Sequence, residues 1–365
     1  MSSQPPTTTT TPMMTIMDAV RSRMSSRSFL RPPSADQDSQ IDSLLSSLPQ
    51  TPFPSTSTRF TFIRKELGFK ASYGMISGSK WFGVFFFFPF SFFCSFSCNT
   101  KRWIVGIVKK GQNDLEALGF QLARVLIGCT RLGIGTIPLG GTFSLGSFES
   151  ELSYSFDAQT EAIPIVVPVG IPDLTRSGIM GAVVKWIVDP RTRKDWASIF
   201  FDSKIGDPLS ATTAGAYADA LDAVRLAPSS ANKQPWSVVR ENAQPQPRFH
   251  FTSSNTTVHS RIDLGIAMGM FTLATEALGL NGSWQILPEA PASISLPVGT
   301  TYVSTWRMAN LSNCYYWHSI NDTDQPLEPA KSTQSVPGKC CSQLSLSSTV
   351  IILAFPLILM ALIVL

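Results

Sequence analysis

Residues 225–236 read RLAPSSANKQPW, and the reading of this stretch decides the rest. Upstream of it, Tyr217, Leu221 and Val224 recur at i, i+4 and i+7, which predicts a helix over 216–226 with one apolar face. Pro228 stops that helix, because proline lacks the amide the next turn would need. Then come two hydroxyls (Ser229, Ser230), a small residue (Ala231), two amides (Asn232, Gln234) and the pair Pro235–Trp236. Small residues let backbone amides approach a ligand. The hydroxyls and carboxamides add neutral donors and acceptors suited to a polar ring or a phosphate. Read plainly, the same stretch is a capped helix end followed by a Pro-Trp turn.

Working outward, residues 115–132 carry Leu118, Leu122, Val125 and Leu126 on one face and predict a helix. It runs into the glycine-rich stretch Gly133, Ile134, Gly135, Thr136, then Leu139, Gly140, Gly141, Thr142 and Phe143. Residues 162–172 (AIPIVVPVGIP) predict a buried strand, residues 59–64 an alternating strand, and residues 263–280 a second amphipathic helix. Near the N-terminus a short helix is expected to open at Asp18 and to end before Pro32 and Pro33, with Arg23, Ser25 and Arg27 before Phe29. Arginine suits a phosphate because its planar fork pairs with two oxygens at once.

The string P-S-S-x-N-x-Q-P-W resembles the flavin-contacting motif of the nitroreductase family. Arg23-x-Ser25-x-Arg27 resembles that family's N-terminal phosphate signature, with Met24 departing from it, and LGIGT…LGGTF resembles its glycine loop. The resemblance covers roughly residues 18–307, apart from a Phe-rich insert at 81–101. It implies an α+β sandwich, a mainly antiparallel sheet with surrounding helices, and FMN wedged between two halves. It further implies that Arg23, Ser25, Arg27 and Arg176 hold the phosphate. Gly140 and Gly141 then lie at the ring, and Ser229, Ser230 and Asn232 close from the other side. NAD(P)H would reduce the flavin, and a small-molecule acceptor such as a nitroaromatic or quinone would reoxidise it. The alternative is a flavin-binding or membrane-tethered protein without turnover. No side chain is expected to act as a general acid or base, and His250, His259 and His318 match no motif.

The chain also repeats itself. Gly119 and Gly265, and Gly133 and Gly279, are each 146 apart (265 − 119, 279 − 133), and DAVR occurs at 18–21 and 222–225. Because the basic grip lies in the first half and P-S-S-x-N in the second, a single-chain pseudo-dimer with one flavin site is expected, working as a monomer.

The 365 residues carry a net charge of +4 without a block of like charge, so no nucleic-acid partner is expected. Six cysteines lack metal spacing, which points to a reducing, cytoplasmic setting. Residues 1–15 form a Thr/Pro-rich leader and residues 16–307 the globular module. Within it, residues 81–101 are a Phe-rich insert read as a translated retained intron, because removing them joins GSK to the strand pattern RWIVGIVKKG. Residues 308–348 read as a disordered linker, and 349–365 as a hydrophobic tail that is either a membrane anchor or a mis-predicted exon.

Overall fold

The computed structural model describes residues 13–67, 69–72, 101–173, 192–243 and 245–309. The expectations placed on residues 1–12, on the Phe-rich insert up to residue 100, on Arg176, on His318 and on the segments from 310 onward lie outside the described residues. Among the described residues, no helix is long and apolar enough to cross a membrane.

Two long helices form the centre: α3 (Asp114–Arg131) and α6 (Val258–Ala277), preceded in chain order by α1 (Ile16–Ser22) and α2 (Ala35–Ser46). Between them lie α4 (Leu145–Glu149) and α5 (Ala218–Leu226). Helices α3 and α6 pack on each other, and each backs onto its own sheet. The expected apolar face of α3 is fully buried at Leu118, Leu122, Val125 and Leu126. The Cys129 thiol sits in that same interior, where burial pushes it up to about 12.

The first sheet contains β1 (Phe29–Arg31), β2 (Thr58–Ile63), β3 (Trp103–Lys109), β4 (Gly135–Thr136) and β5 (Glu161–Pro172), ordered β1-β5-β3-β2 with β4 also on β5. All of its pairings are antiparallel. The second contains β6 (Phe200–Asp202), β7 (Trp236–Glu241), β8 (Arg248–Ser253), β9 (Gly282–Gln285) and β10 (Thr301–Met308), in the order β6-β7-β8-β10-β9. Only β6 runs parallel, against β7. Each sheet therefore has an antiparallel pair (β2–β3, β7–β8), a long helix, and a strand (β5, β10) that joins that pair and carries a short partner (β4, β9). This is the expected α+β sandwich of antiparallel strands and surrounding helices.

The helix crossing has a symmetry of its own. A Cβ on Gly119 would fall 2.1 Å from the Ile262 carbonyl oxygen, and one on Gly265 would fall 2.2 Å from that of Glu116. Ile262 and Glu116 are again 146 apart (262 − 116), so residues in one register meet reciprocally, as across a two-fold axis. Glycine is required here because the two backbones touch.

Two expected boundaries move. Helix α1 is capped by Thr15, whose hydroxyl accepts from the Asp18 amide, and it ends at Ser22 rather than running toward Pro32. The segment after it is extended, and Ser26 N–H donates to the Thr136 carbonyl at 3.0 Å, which ties residues 23–28 to the glycine loop. Helix α6 begins at Val258, five residues before the expected start, because the Thr257 hydroxyl accepts from the Ser260 amide and caps it there. Helix α5 ends at Leu226, as Pro228 dictates.

Candidate functional site

A cavity of about 340 Å³ lies where these segments converge. The extended stretch after α1 supplies Arg23, Ser25 and Arg27, and the glycine loop supplies residues 137–140 and Thr142. The turn after α5 supplies residues 228–232, and α6 adds His259, Ile262, Asp263 and Ile266. Seven of the nine expected site residues thus share one cavity: Arg23, Ser25, Arg27, Gly140, Ser229, Ser230 and Asn232. Gly141 is the adjoining residue, with φ of 78°; Arg176 lies outside the described residues.

The cationic edge holds three arginines. Arg23 Nη1 and Arg27 Nε are buried and have no hydrogen-bond partner among the described residues. Burial, and then the charge of Arg193, push the Arg23 guanidinium down to about 10; burial lowers Arg27 as well. Cations held dry and close to one another are destabilised, and an anion among them relieves both effects. Arg193, on the chain between β5 and β6, was not expected from sequence. It donates to Asn232 Oδ1 at 3.0 Å and to the Leu226 carbonyl at 3.3 Å. Sequence places the phosphate grip at Arg23, Ser25, Arg27 and Arg176; the cavity adds Arg193 to them. A second basic run before an aromatic, Arg193–Lys194 ahead of Trp196, was the available signal.

The polar side chains of the 229–234 turn bond to one another and to residues 192–194. Ala231, Asn232 and Gln234 all hold positive φ (49°, 55° and 46°). The Gln234 amide donates to Ser229 Oγ at 2.9 Å, and its side-chain Oε1 accepts from the Lys194 amide at 2.9 Å. Gln234, buried and read from sequence as a possible ligand donor, is therefore a brace for the turn. Asn232 Nδ2 donates to the Thr192 carbonyl at 2.7 Å while Oδ1 receives Arg193, so its carboxamide holds that arginine in place.

On the opposite wall, α6 presents His259, Ile262, Asp263 and Ile266 at i, i+3, i+4 and i+7, one stripe facing the cavity. His259 Nε2–H donates to the Gly140 carbonyl at 2.9 Å. A Cβ on Gly140 would meet the imidazole Cδ2 at 2.9 Å, so glycine is what lets the ring lie over the loop. Both Asp263 oxygens accept from Ser230 N–H, at 3.1 and 2.9 Å. Burial pushes the Asp263 carboxyl up to about 7, against smaller opposing effects of the Ser230 amide and Lys233. Sequence reasoning missed His259 because it began the helix at Asp263, and it gave Asp263 itself no role. His250, by contrast, is buried in the second sheet, with Nδ1 2.8 Å from Thr305 Oγ1 and Nε2 3.2 Å from Glu241 Oε2.

Comparison with known proteins gives three kinds of result. No curated protein sequence matches the chain. Among solved structures, one from Thermotoga maritima described as a nitroreductase has 16% identity and a TM-score of 0.48, covering 83% of this chain and 97% of its own. A nitroreductase family protein of Clostridium novyi has 14% identity and a TM-score of 0.33, over 46% and 90% of the two chains. A structure from Desulfovibrio desulfuricans, described as a nitroreductase in complex with FMN, has 16% identity and a TM-score of 0.30, over 45% and 92%. The family model described as TM nitroreductase matches residues 91–275, half of the chain, and takes in the glycine loop, Arg193, the 228–236 turn and the α6 stripe. The chain belongs to this nitroreductase family.

Proposed function

We propose that the cavity binds FMN and that the protein is an FMN-dependent oxidoreductase, passing reducing equivalents from NAD(P)H to a small acceptor such as a nitroaromatic or quinone. The observation that carries this reading is the pair of buried, unpartnered guanidinium nitrogens, Arg23 Nη1 and Arg27 Nε, on a cavity shared with the P-S-S-x-N turn. They are donors without acceptors in a partly dry site, which is the need a phosphate meets. Family membership and the FMN complex of the Desulfovibrio relative support the choice of flavin.

The flavin, when bound, supplies the electron chemistry, and the chain's residues bind and orient it. Arg23, Arg27 and Arg193 would hold the phosphate, with Ser25 beside them. Ile137, Leu139, Ile165, Ile262 and Ile266 offer apolar walls for a flat ring. Gly140 and Gly141 keep one wall low, and Ser229 and Ser230 line the cavity on the other side. Asn232 acts through Arg193. The reading also proposes that the two halves are copies of one ancestral module, supported by the reciprocal helix crossing and the matching strand order.

The test is titration of the apoprotein with FMN, followed by anaerobic addition of NADH or NADPH. One flavin per chain, with an absorption band that bleaches on adding the nicotinamide, is expected. Flavin bound without bleaching would favour a binder without turnover. Absence of binding would remove the flavin reading.

A further inference from the structure

We propose that Asp263 accepts a hydrogen bond from the imide N–H of the bound ring and so selects for flavins that carry that proton; this rests on the flavin reading above. An ionised carboxylate offers about four acceptor sites on two oxygens. Among the described residues, Asp263 receives one donor, the Ser230 N–H, shared between both oxygens at 3.1 and 2.9 Å. The residue is 6% exposed and lines the cavity, so its spare lone pairs meet whatever occupies that space. A buried carboxylate with unfilled acceptor sites calls for N–H or O–H donors from the ligand.

Asp263 would repel a phosphate by its own charge, so the ligand group that suits it is a neutral N–H or O–H donor. Its cavity neighbours on α6, Ile262 and Ile266, are apolar and suited to a flat ring rather than to a polyol chain. The two carboxamides of the neighbouring turn are engaged. Asn232 is committed to Arg193 and Thr192, and Gln234 to Lys194 and its own turn. An imide N–H is the ring's own donor, and Asp263 is a buried cavity acceptor with capacity left for it.

The experiment is fluorescence titration of the apoprotein at pH 8, where the carboxyl is ionised, with riboflavin and with 3-methylriboflavin, which differ only at the imide nitrogen. Wild-type protein should bind riboflavin at least about tenfold more tightly, the scale of a hydrogen bond to a charged group. In Asp263→Ala that preference should collapse to within about twofold. Circular dichroism checks that the variant folds, and the wild-type ligand pair remains a test if it does not. Equal wild-type affinities, or a preference that survives in Asp263→Ala, would overturn the assignment while leaving flavin binding intact. Failure of wild-type protein to bind either flavin would instead remove the underlying reading. A ribityl-hydroxyl contact in place of the imide predicts equal affinities for the two ligands, so it appears as the overturning result.

Discussion

The first turns of α3 and α6 occupy reciprocal places at the same helix crossing, yet their side chains are used in opposite ways. On α3, Asp114 and Glu116 are neutralised by Arg261 of the other helix, at 3.0 Å and at 2.7–2.8 Å. Those contacts hold Arg261 above the ordinary arginine value, with Glu116 the larger cause. On α6, Asp263 makes no ion pair among the described residues, and with His259 it faces a cavity. The register counterparts of His259 and Asp263 are Asn113 and Ala117, which cannot repeat their chemistry (259 − 146, 263 − 146). A near-symmetric scaffold thus carries acidic groups at both ends, closes one set in an ion-pair cluster and leaves the other open to a ligand. Symmetry of the backbone does not oblige symmetry of function.

The largest expected effect breaks the scaffold itself. Gly265→Ala and Gly119→Ala each drive a methyl into a backbone carbonyl of the facing helix. Each should cost about 3 kcal/mol in urea unfolding, the upper end of overpacking losses. Because one separation of the helices accommodates both methyls, the double variant should cost less than the sum. Tolerance of one substitution and not the other would show that the crossing is less symmetric than its contacts.

Next in size is the cationic edge. Arg23→Ala should weaken FMN by about 1.5–3 kcal/mol, the range for a hydrogen bond to a charged group. Riboflavin, lacking the phosphate, should lose much of that sensitivity. An undiminished effect with riboflavin would move Arg23 away from the phosphate.

The smallest effect sharpens the contrast at Asp263. Its carboxyl, raised from 3.8 to about 7 in the fold, binds a proton that the unfolded chain releases. Stability should therefore be greatest at the acid end of that window and fall as pH rises from about 4 to about 7. Asp263→Asn keeps an acceptor for Ser230 N–H but carries no charge. It should be more stable than wild type at pH 8 and no more stable at pH 4. Thermal melts of the apoprotein across that range give the answer; parallel curves for the two proteins would refute it.

Much of this was readable before any coordinates. The 3.6-residue period marked α3 and α5, the string P-S-S-x-N-x-Q-P-W marked the cavity turn, and Gly119 and Gly265 stood in register. What escaped was tertiary. Arg193 reaches the cavity only because β6 crosses to the second sheet and brings its upstream segment along. His259 precedes the apolar periodicity of its helix, which starts at a threonine cap instead. Gln234 and Asn232 carry groups that a ligand would use, yet turn geometry with three positive φ angles consumes them. Sequence announces which donors are present; only packing decides which remain available.

One further consequence follows from a cavity whose walls run from Arg23 to Ile266 on a single chain. Where two separate subunits enclose a cofactor, dilution dissolves the site and cofactor loss depends on protein concentration. Here the walls are tethered, and each meets the other at an effective concentration set by the chain and not by the solution. Release of the ligand should then be a first-order event, with the same half-life at nanomolar as at micromolar protein.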